Sequence, residues 1–393
     1  MSVERPAPNG PASAEGTGLY VHIPFCSVKC FYCDFTAFAG QGAAADRYVD
    51  ALAREAGLYP GVRPDTLYVG GGTPTELTAA QLARLLGELA ARFGPLSGLR
   101  ETTIEASPES TDGEKLDVLA AAGVTRLSFG LQTASDRLLA TVGRHHTFAD
   151  FRAVYDAARR RGFAVNVDLI HGLPGQSKAD SLADVDAILA LEPDHLSLYT
   201  LQVEDRTLFA KRAVELDEDL ARETMAEALE RIAAAGLVHY EISNFARPGR
   251  EALHNLGYWV DRPCLGLGCG AAGFLGGERY ENDDRLKPYL DRVARGERPV
   301  AHAEALTGKE KLGETMLLRL RLIEGLSLTP QMQTVFRREL ERLLARGLAV
   351  LEGGGCSTCL PRLRLTPEGV FLANEAFREF VPPFDDAPAE TTT

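Results

Sequence analysis

The chain has 393 residues, 45% of them hydrophobic and 25% charged, with a formal net charge of −13. That is the composition of an ordinary globular protein, long enough for one large domain and a smaller one. The acidic balance argues against nucleic-acid and anionic-membrane binding, and with no apolar run of about 18 residues no membrane-spanning helix is expected.

Residues 1–17 are rich in Pro, Ala, Gly and Ser and hold no apolar stretch, so a disordered tail is expected there, not a signal peptide. Residues 382–393 are expected to be a second such tail. Seven cysteines in a chain without a secretion signal point to a reducing compartment, the cytoplasm.

Leu19-Tyr20-Val21-His22-Ile23 alternates and is β-branched, which predicts a strand. It delivers Cys26-Ser27-Val28-Lys29-Cys30-Phe31-Tyr32-Cys33 in the loop past its C-terminal end. A helix over 46–58 precedes a strand over 65–69, which ends in Gly70-Gly71-Gly72-Thr73-Pro74. Thr78 caps a helix to 93; a strand over 102–106 and a helix from 112 to Gly123 follow. A strand over 125–129 leads into Gly130-Leu131-Gln132, a helix over 149–161 and a strand over 164–170. That strand ends in His171-Gly172-Leu173-Pro174-Gly175-Gln176, before a helix over 181–191 and a strand over 195–199.

Six strand–helix units in succession imply parallel pairing through right-handed crossovers. The polar and glycine-rich segments all follow strands, the face where a β/α barrel keeps its chemistry. The expected fold is α/β, an incomplete (β/α)6 barrel over 18–303, with an open doubly wound sheet as the alternative. Within that span fall a helix over 217–235, a short strand within 239–244, His254-Asn255-Leu256-Gly257-Tyr258-Trp259 and a glycine-rich run at 266–277. Helices over 309–322 and 330–346, strands over 348–351 and 360–365, and a helix over 367–380 predict a small winged-helix-like domain at 304–381.

The spacing C-x3-C-x2-C at Cys26, Cys30 and Cys33 cannot pair off into disulfides without a thiol left over. It is one ligand short of a closed zinc site, and it suits a [4Fe–4S] cluster held through three irons with the fourth open. The Gly70–Pro74 turn presents backbone unobstructed by side chains. Glu105, Gln132, Arg144 and Asp168 follow successive strands and line one rim. Of the histidines, His22 is expected to be a satisfied core residue, and either His145 or His146 could face the rim. Cys356 and Cys359 form a C-x-x-C pair, expected to be incidental thiols; zinc or redox chemistry, with Cys264 and Cys269 joining, is the alternative. His254 to Trp259 places an imidazole beside the chain's one tryptophan. Imidazole ligates haem iron and aromatic rings pack on porphyrin, although packing alone is the plainer use of such residues.

Taken together, Tyr20-Val21-His22-Ile23-Pro24-Phe25-Cys26, the cysteine triplet, residues 70–74, Ser128-Phe129-Gly130-Leu131-Gln132 and residues 172–176 resemble the HemW family. These are haem chaperones of the radical S-adenosylmethionine (SAM) superfamily, related to oxygen-independent coproporphyrinogen III dehydrogenase. The resemblance spans roughly residues 18–380. It implies a radical-SAM barrel with a [4Fe–4S] cluster on Cys26, Cys30 and Cys33 and SAM at the open iron. Tyr20 and Tyr32 would lie beside the cluster, Gly71, Gly72 and Thr73 at the amino group of SAM, and Glu105, Gln132, Arg144 and Asp168 at its ribose and carboxylate. It further implies haem bound through His254, Tyr258 and Trp259 and passed to haem-accepting proteins. The competing expectation is the dehydrogenase itself, a radical oxidative decarboxylation to protoporphyrinogen IX. Three features favour the chaperone. The dehydrogenases resemble C-x3-C-x2-C-x-C, whereas Phe35 stands at the last position here; they carry a longer N-terminal segment; and His254 to Trp259 fits H-N-x-x-Y-W. One departure is Ala272, where the family's second glycine-rich segment commonly has histidine.

Overall fold

The computed structural model describes residues 16–353 and 360–384. The Cys356–Cys359 pair and nearly all of both terminal segments lie outside these residues. The chain packs as two compact units. The first runs to His239 and takes back Ser243–Gly257 and Arg262–Glu304. The second takes Tyr240–Ile242, Tyr258–Asp261 and the chain from Ala305.

Six strands arrive in order: β1 (Gly18–Ile23), β2 (Thr66–Gly71), β3 (Glu101–Ala106), β4 (Arg126–Gln132), β5 (Ala164–His171) and β6 (His195–Thr200). Each pairs in parallel with the next. The helices Ala45–Gly57, Ala79–Phe93, Gly113–Ala121, Phe148–Arg160 and Lys178–Leu189 make the crossovers. Thr78, Thr147 and Ser177 begin three of these helices with reciprocal capping boxes, so their first turns leave fewer orphan N–H groups.

Alternate residues of a strand face opposite sides. On β2 to β6 one side carries Leu67, Val69, Ile104, Leu127, Phe129, Val165, Val167, Leu196 and Leu198, all buried in the apolar core with the helices. The other side carries Tyr68, Thr103, Glu105, Ser128, Asn166, Asp168 and Ser197, which line a chamber. A doubly wound sheet would need an apolar stripe on both sides. One-sided helix cover around a polar interior is the incomplete barrel arrangement.

The sheet extends beyond the six staves. A hairpin, β7 (Val238–Glu241) and β8 (Asn244–Ala246), adds to β6; β9 (Cys264–Leu267) adds in parallel to β1 and continues through β10 (Ala272–Leu275), β11 (Glu278–Asn282) and β12 (Val300–Glu304). Among the described residues this makes one twelve-stranded sheet that ends at β7 and β12. The glycine-rich run thus hides a strand. Gly266 on β9 has no room for a side chain, since a Cβ there would sit 2.0 Å from the Ala272 carbonyl oxygen.

The second unit has its own core, built on Met316, Leu320, Phe336, Leu343, Leu363 and Phe377. Its antiparallel sheet orders Leu326–Ser327, Arg362–Leu365 and Ala349–Glu352. The expected helix at 330–346 is two, Pro330–Val335 and Arg337–Ala345, broken at the fully buried Phe336. The expected helix at 367–380 likewise divides into Pro367–Phe371 and Ala373–Arg378.

Candidate functional site

A chamber of about 330 Å3 opens at the C-terminal ends of the strands and reaches down the barrel interior. Its wall rises in register. Tyr68, Thr103 and Arg126 are neighbours at one level; Glu105 and Ser128 pair above, with Asn166 beside them; Gly130 and Asp168 pair above that. Apolar branched residues normally fill such layers, so this polar interior is built to hold something other than its own side chains.

At the mouth sits the cysteine loop. Phe31 ties it down: its N–H donates to the Val142 carbonyl at 3.1 Å, its own carbonyl accepts from Phe209 N–H at 3.0 Å, and Arg212 stacks on its ring at 4.9 Å. On the far side the Nε2–H of His22 donates to the Thr36 carbonyl at 2.8 Å, which leaves Nδ1 to accept from the Tyr20 hydroxyl at 2.9 Å. His22 is therefore a satisfied buried residue that holds the loop. Tyr20 reaches this histidine and stacks on Tyr68; it is not among the residues that line the chamber, whereas Tyr32 is.

Cys26, Cys30 and Cys33 are free thiols that all line the mouth. Burial pushes Cys26 up to about 11 and raises Cys33 as well, so ionisation there waits on a cation. Among the described residues no three His, Cys, Asp or Glu side chains converge on a position for one metal ion. A cluster that takes each thiolate on a different iron does not need them to converge, and the donor set fits it.

Gly70, Gly71 and Gly72 have packing reasons to be glycine. A Cβ would lie 2.8 Å from the Glu105 carboxyl at Gly70, 2.6 Å from the His22 ring at Gly71 and 2.7 Å from the Phe25 carbonyl at Gly72. The N–H groups of Gly71, Gly72 and Thr73 are engaged by Glu105 Oε2, the Ile23 carbonyl and the Phe25 carbonyl. With these N–H groups engaged, the turn's free backbone groups are carbonyl oxygens, the acceptors that an ammonium group requires. The Thr73 hydroxyl stands 3.7 Å from Cys26 Sγ.

Arg144 brings a cation to the thiols. One Nη lies 3.6 Å from Cys30 Sγ; the other donates to the Gly130 carbonyl at 2.6 Å and to Ser107 Oγ at 2.9 Å and sits 3.6 Å from Glu109. Glu109 also accepts from Nδ1 of His146 at 2.9 Å and from Ser107 Oγ. Of the two histidines after Arg144, His146 is buried and His145 exposed. Burial disfavours the Glu109 charge, but His146, Arg144 and Ser107 outweigh it and hold the carboxyl at about 2. Gln132 lines the chamber from a bulge in the β4–β5 pairing, with φ at +76°, a conformation rare outside glycine.

Glu105 accepts from the Tyr68 hydroxyl at 2.7 Å and from Gly71 N–H at 3.0 Å; burial still pushes it up to about 7. Asp168 accepts from Asn166 at 2.8 Å and Ser128 at 3.3 Å, and burial raises it too. The structure therefore gathers Tyr32, Gly71, Gly72, Thr73, Glu105, Gln132, Arg144 and Asp168 around one chamber with the three cysteines. Sequence reasoning missed Ser107, Glu109, Arg126, Ser128, Asn166, His195 and Ser197. A signal was there: Arg126, Ser128 and Gly130, or Asn166 and Asp168, are polar at every second strand position.

His254 lies elsewhere than expected of a surface ligand. It is 2% exposed, its Nδ1 is 3.0 Å from Thr66 Oγ1, and its ring stacks on Tyr68 at 5.4 Å. Burial pushes its basicity down to about 3. Its neighbour Asn255 is the motif residue that lines the chamber. Tyr258 and Trp259 belong to the second unit, where the Trp259 ring lies 4.3 Å under Arg321.

The radical SAM superfamily profile matches residues 20–188. "Heme chaperone HemW" of Bacillus subtilis is 37% identical over 92% of this chain and 98% of its own, and the Escherichia coli protein of that name is 31% identical over 92% and 97%. Among solved structures, that titled "Coproporphyrinogen III oxidase (HemN) from Escherichia coli is a Radical SAM enzyme" superposes with a TM-score of 0.81 at 27% identity, covering 94% of this chain and 91% of that one. No helix among the described residues is long and apolar enough to cross a membrane. With a radical SAM fold, a three-cysteine loop over a polar chamber and full-length likeness to these relatives, the chain belongs to the HemW family of haem chaperones.

Proposed function

We propose that this protein binds haem and delivers it to acceptor proteins, while Cys26, Cys30 and Cys33 hold a [4Fe–4S] cluster and the chamber rim holds SAM. In the cytoplasm, where we place it, the thiols stay reduced. Thr73 and the neighbouring carbonyls would receive the amino group of SAM, Arg144 its carboxylate, and Glu105, Gln132 and Asp168 its ribose, with Tyr32 at the cluster end and Tyr20 behind it on His22. When bound, these groups supply one-electron chemistry; the chain supplies charge, donors and shelter from water.

The observation that carries the chaperone reading over decarboxylation is Phe35. It is 64% exposed at the chamber mouth, where the dehydrogenases resemble a further cysteine. With Val28 at 43% and Tyr199 at 40% it gives the mouth an apolar rim, suited to a flat apolar ring held loosely. A carrier needs a ligand that exchanges. His254 would supply it, and its burial means that the segment bearing it must shift before the imidazole meets iron.

Haem titration of the anaerobically reconstituted protein tests this. The wild type should take up about one haem per chain with a Soret band. His254→Ala should shift or weaken that band and leave the iron–sulfur absorption intact. Coproporphyrinogen III with SAM and a reductant should yield no protoporphyrinogen IX. Turnover, together with haem binding indifferent to His254, would sink the chaperone reading in favour of the dehydrogenase.

A further inference from the structure

The chamber continues below the SAM rim to a closed end that the proposed cofactors leave unexplained. Arg126 and Thr103 stand there as neighbours in the β3–β4 register, 6% and 1% exposed. Arg126 is fixed from three directions. Its Nε donates to Glu101 at 3.2 Å, and one Nη donates to the carbonyls of Arg250 at 2.8 Å and Glu251 at 3.2 Å. The other Nη has no partner, nor does the Thr103 hydroxyl. Both residues line the chamber. Buried donors without partners are rare and call for an explanation. Glu101 does not reach the other Nη: its oxygens take Arg126 Nε and the N–H groups of Leu253 and His254 at 3.1 and 2.9 Å.

We propose that this closed end is a second ligand site, where Arg126 and Thr103 bind the carboxylate of an alkyl acid. A guanidinium held rigid by its other nitrogens loses little freedom when its last N–H groups bind, and a planar two-oxygen acceptor matches it. The hydroxyl beside it offers the second donor. Glu105 and Asp168 stand above this end, and burial raises both carboxyls. The Asn166 amide competes for nothing there, since its NH2 goes to Ser128, Ser197 and Asp168. Two sources share this chemistry, a free short-chain acid and a propionate arm of haem, and the inference does not depend on haem carriage.

Ligand-observed NMR saturation transfer on the full-length, cluster-loaded protein tests it, with propionate as probe and propionamide as its neutral counterpart. Propionate should show transfer, with propionamide at least about ten-fold weaker, the scale for a lost charged partner. Thr103→Val should weaken propionate several-fold, and Arg126→Met should abolish it. Saturating SAM should leave it unchanged, which separates this end from the rim. Should Arg126→Met fail to fold for want of a partner to Glu101, Thr103→Val and the amide comparison in wild type still decide. Displacement of propionate by haem but not by haem dimethyl ester assigns the acid to the porphyrin; no displacement by either assigns it to a free acid. Equal binding of acid and amide, no transfer at all, or displacement of propionate by SAM each overturns the proposal.

Discussion

Replacing Glu109 by Gln removes one negative charge from the cluster that fixes Arg144 and changes little else in shape. In the folded chain burial opposes the Glu109 charge, yet His146 at 2.9 Å, Arg144 at 3.6 Å and Ser107 bring its carboxyl from 4.5 to about 2. Undiminished, that displacement is worth about 3 kcal/mol at neutral pH. The side chain is 24% exposed, so solvent screening reduces the figure to about 1–2 kcal/mol. A depressed folded value contributes stability above the unfolded value and loses it as pH falls through the folded one. Glu109→Gln should therefore unfold about 1–2 kcal/mol more easily than wild type at pH 7. The gap should close between 4.5 and about 2. Urea unfolding of the metal-free protein, stepped down from pH 7, measures it. Equal stability at pH 7, or a gap undiminished near the bottom of that window, would show that the carboxylate is not held by these partners. The same variant frees Arg144 to reorient, so SAM affinity measured beside unfolding separates loss of position from loss of fold.

Further outcomes follow from the thiols and from Glu105. The wild type should reconstitute with about four iron and four sulfide per chain, and the Cys26→Ala, Cys30→Ala, Cys33→Ala triple variant with none. The described alternatives, Cys264 and Cys269, are 4% and 0% exposed; a full cluster in the triple variant would falsify the assignment. Burial raises Glu105 from 4.5 to about 7, so its charge costs stability increasingly as pH rises through that range. Glu105→Gln should gain on wild type by about 2–3 kcal/mol between pH 5 and pH 8 in thermal or urea unfolding. A constant difference across that range would mean the acid is not desolvated.

The six staves and their helices were legible because most strands are short apolar runs closed by glycine or a polar turn, and four of the five crossover helices begin on a side-chain cap. Legibility ended where length did. β9 is four residues long and contains Gly266, so local preference argues for a loop, and only pairing with β1 makes it a strand. Phe336 broke an otherwise periodic helix because its ring is needed in the core of the second unit. At the site, the residues that follow strands were found by position, since a strand end in a β/α barrel faces the chemistry. Arg126, Asn166 and Ser197 lie inside strands, where the eye looks for apolar alternation and passes over polar alternation. The triple glycine has packing reasons that its sequence does not show. Its residues are small to clear Glu105, His22 and Phe25, and their N–H groups point into the protein.

The burial of His254 ties the segment His254 to Trp259 to the chamber by direct contact. Tyr68 carries the His254 ring on its face at 5.4 Å and gives its hydroxyl to Glu105 at 2.7 Å. The second oxygen of Glu105 holds Gly71 N–H at 3.0 Å, and Gly71 leaves no room for a Cβ beside His22, which in turn fastens the cysteine loop through Thr36. Contact of this kind becomes coupling only if one member has two discrete positions that both sites bias. The helix Leu253–Trp259 is the member placed to have them, because it bears His254 against Tyr68 and Asn255 on the chamber wall. A shift that frees the imidazole for iron takes Asn255 away from the wall and uncovers one face of Tyr68. Such a shift loses the Thr66 hydrogen bond and the packing of a fully buried ring, so iron ligation must make up that loss. On the proposed ligation of haem by His254, whatever fills the chamber and holds Asn255 in place would weaken that ligation, and haem so bound would loosen the chamber ligand by the same factor.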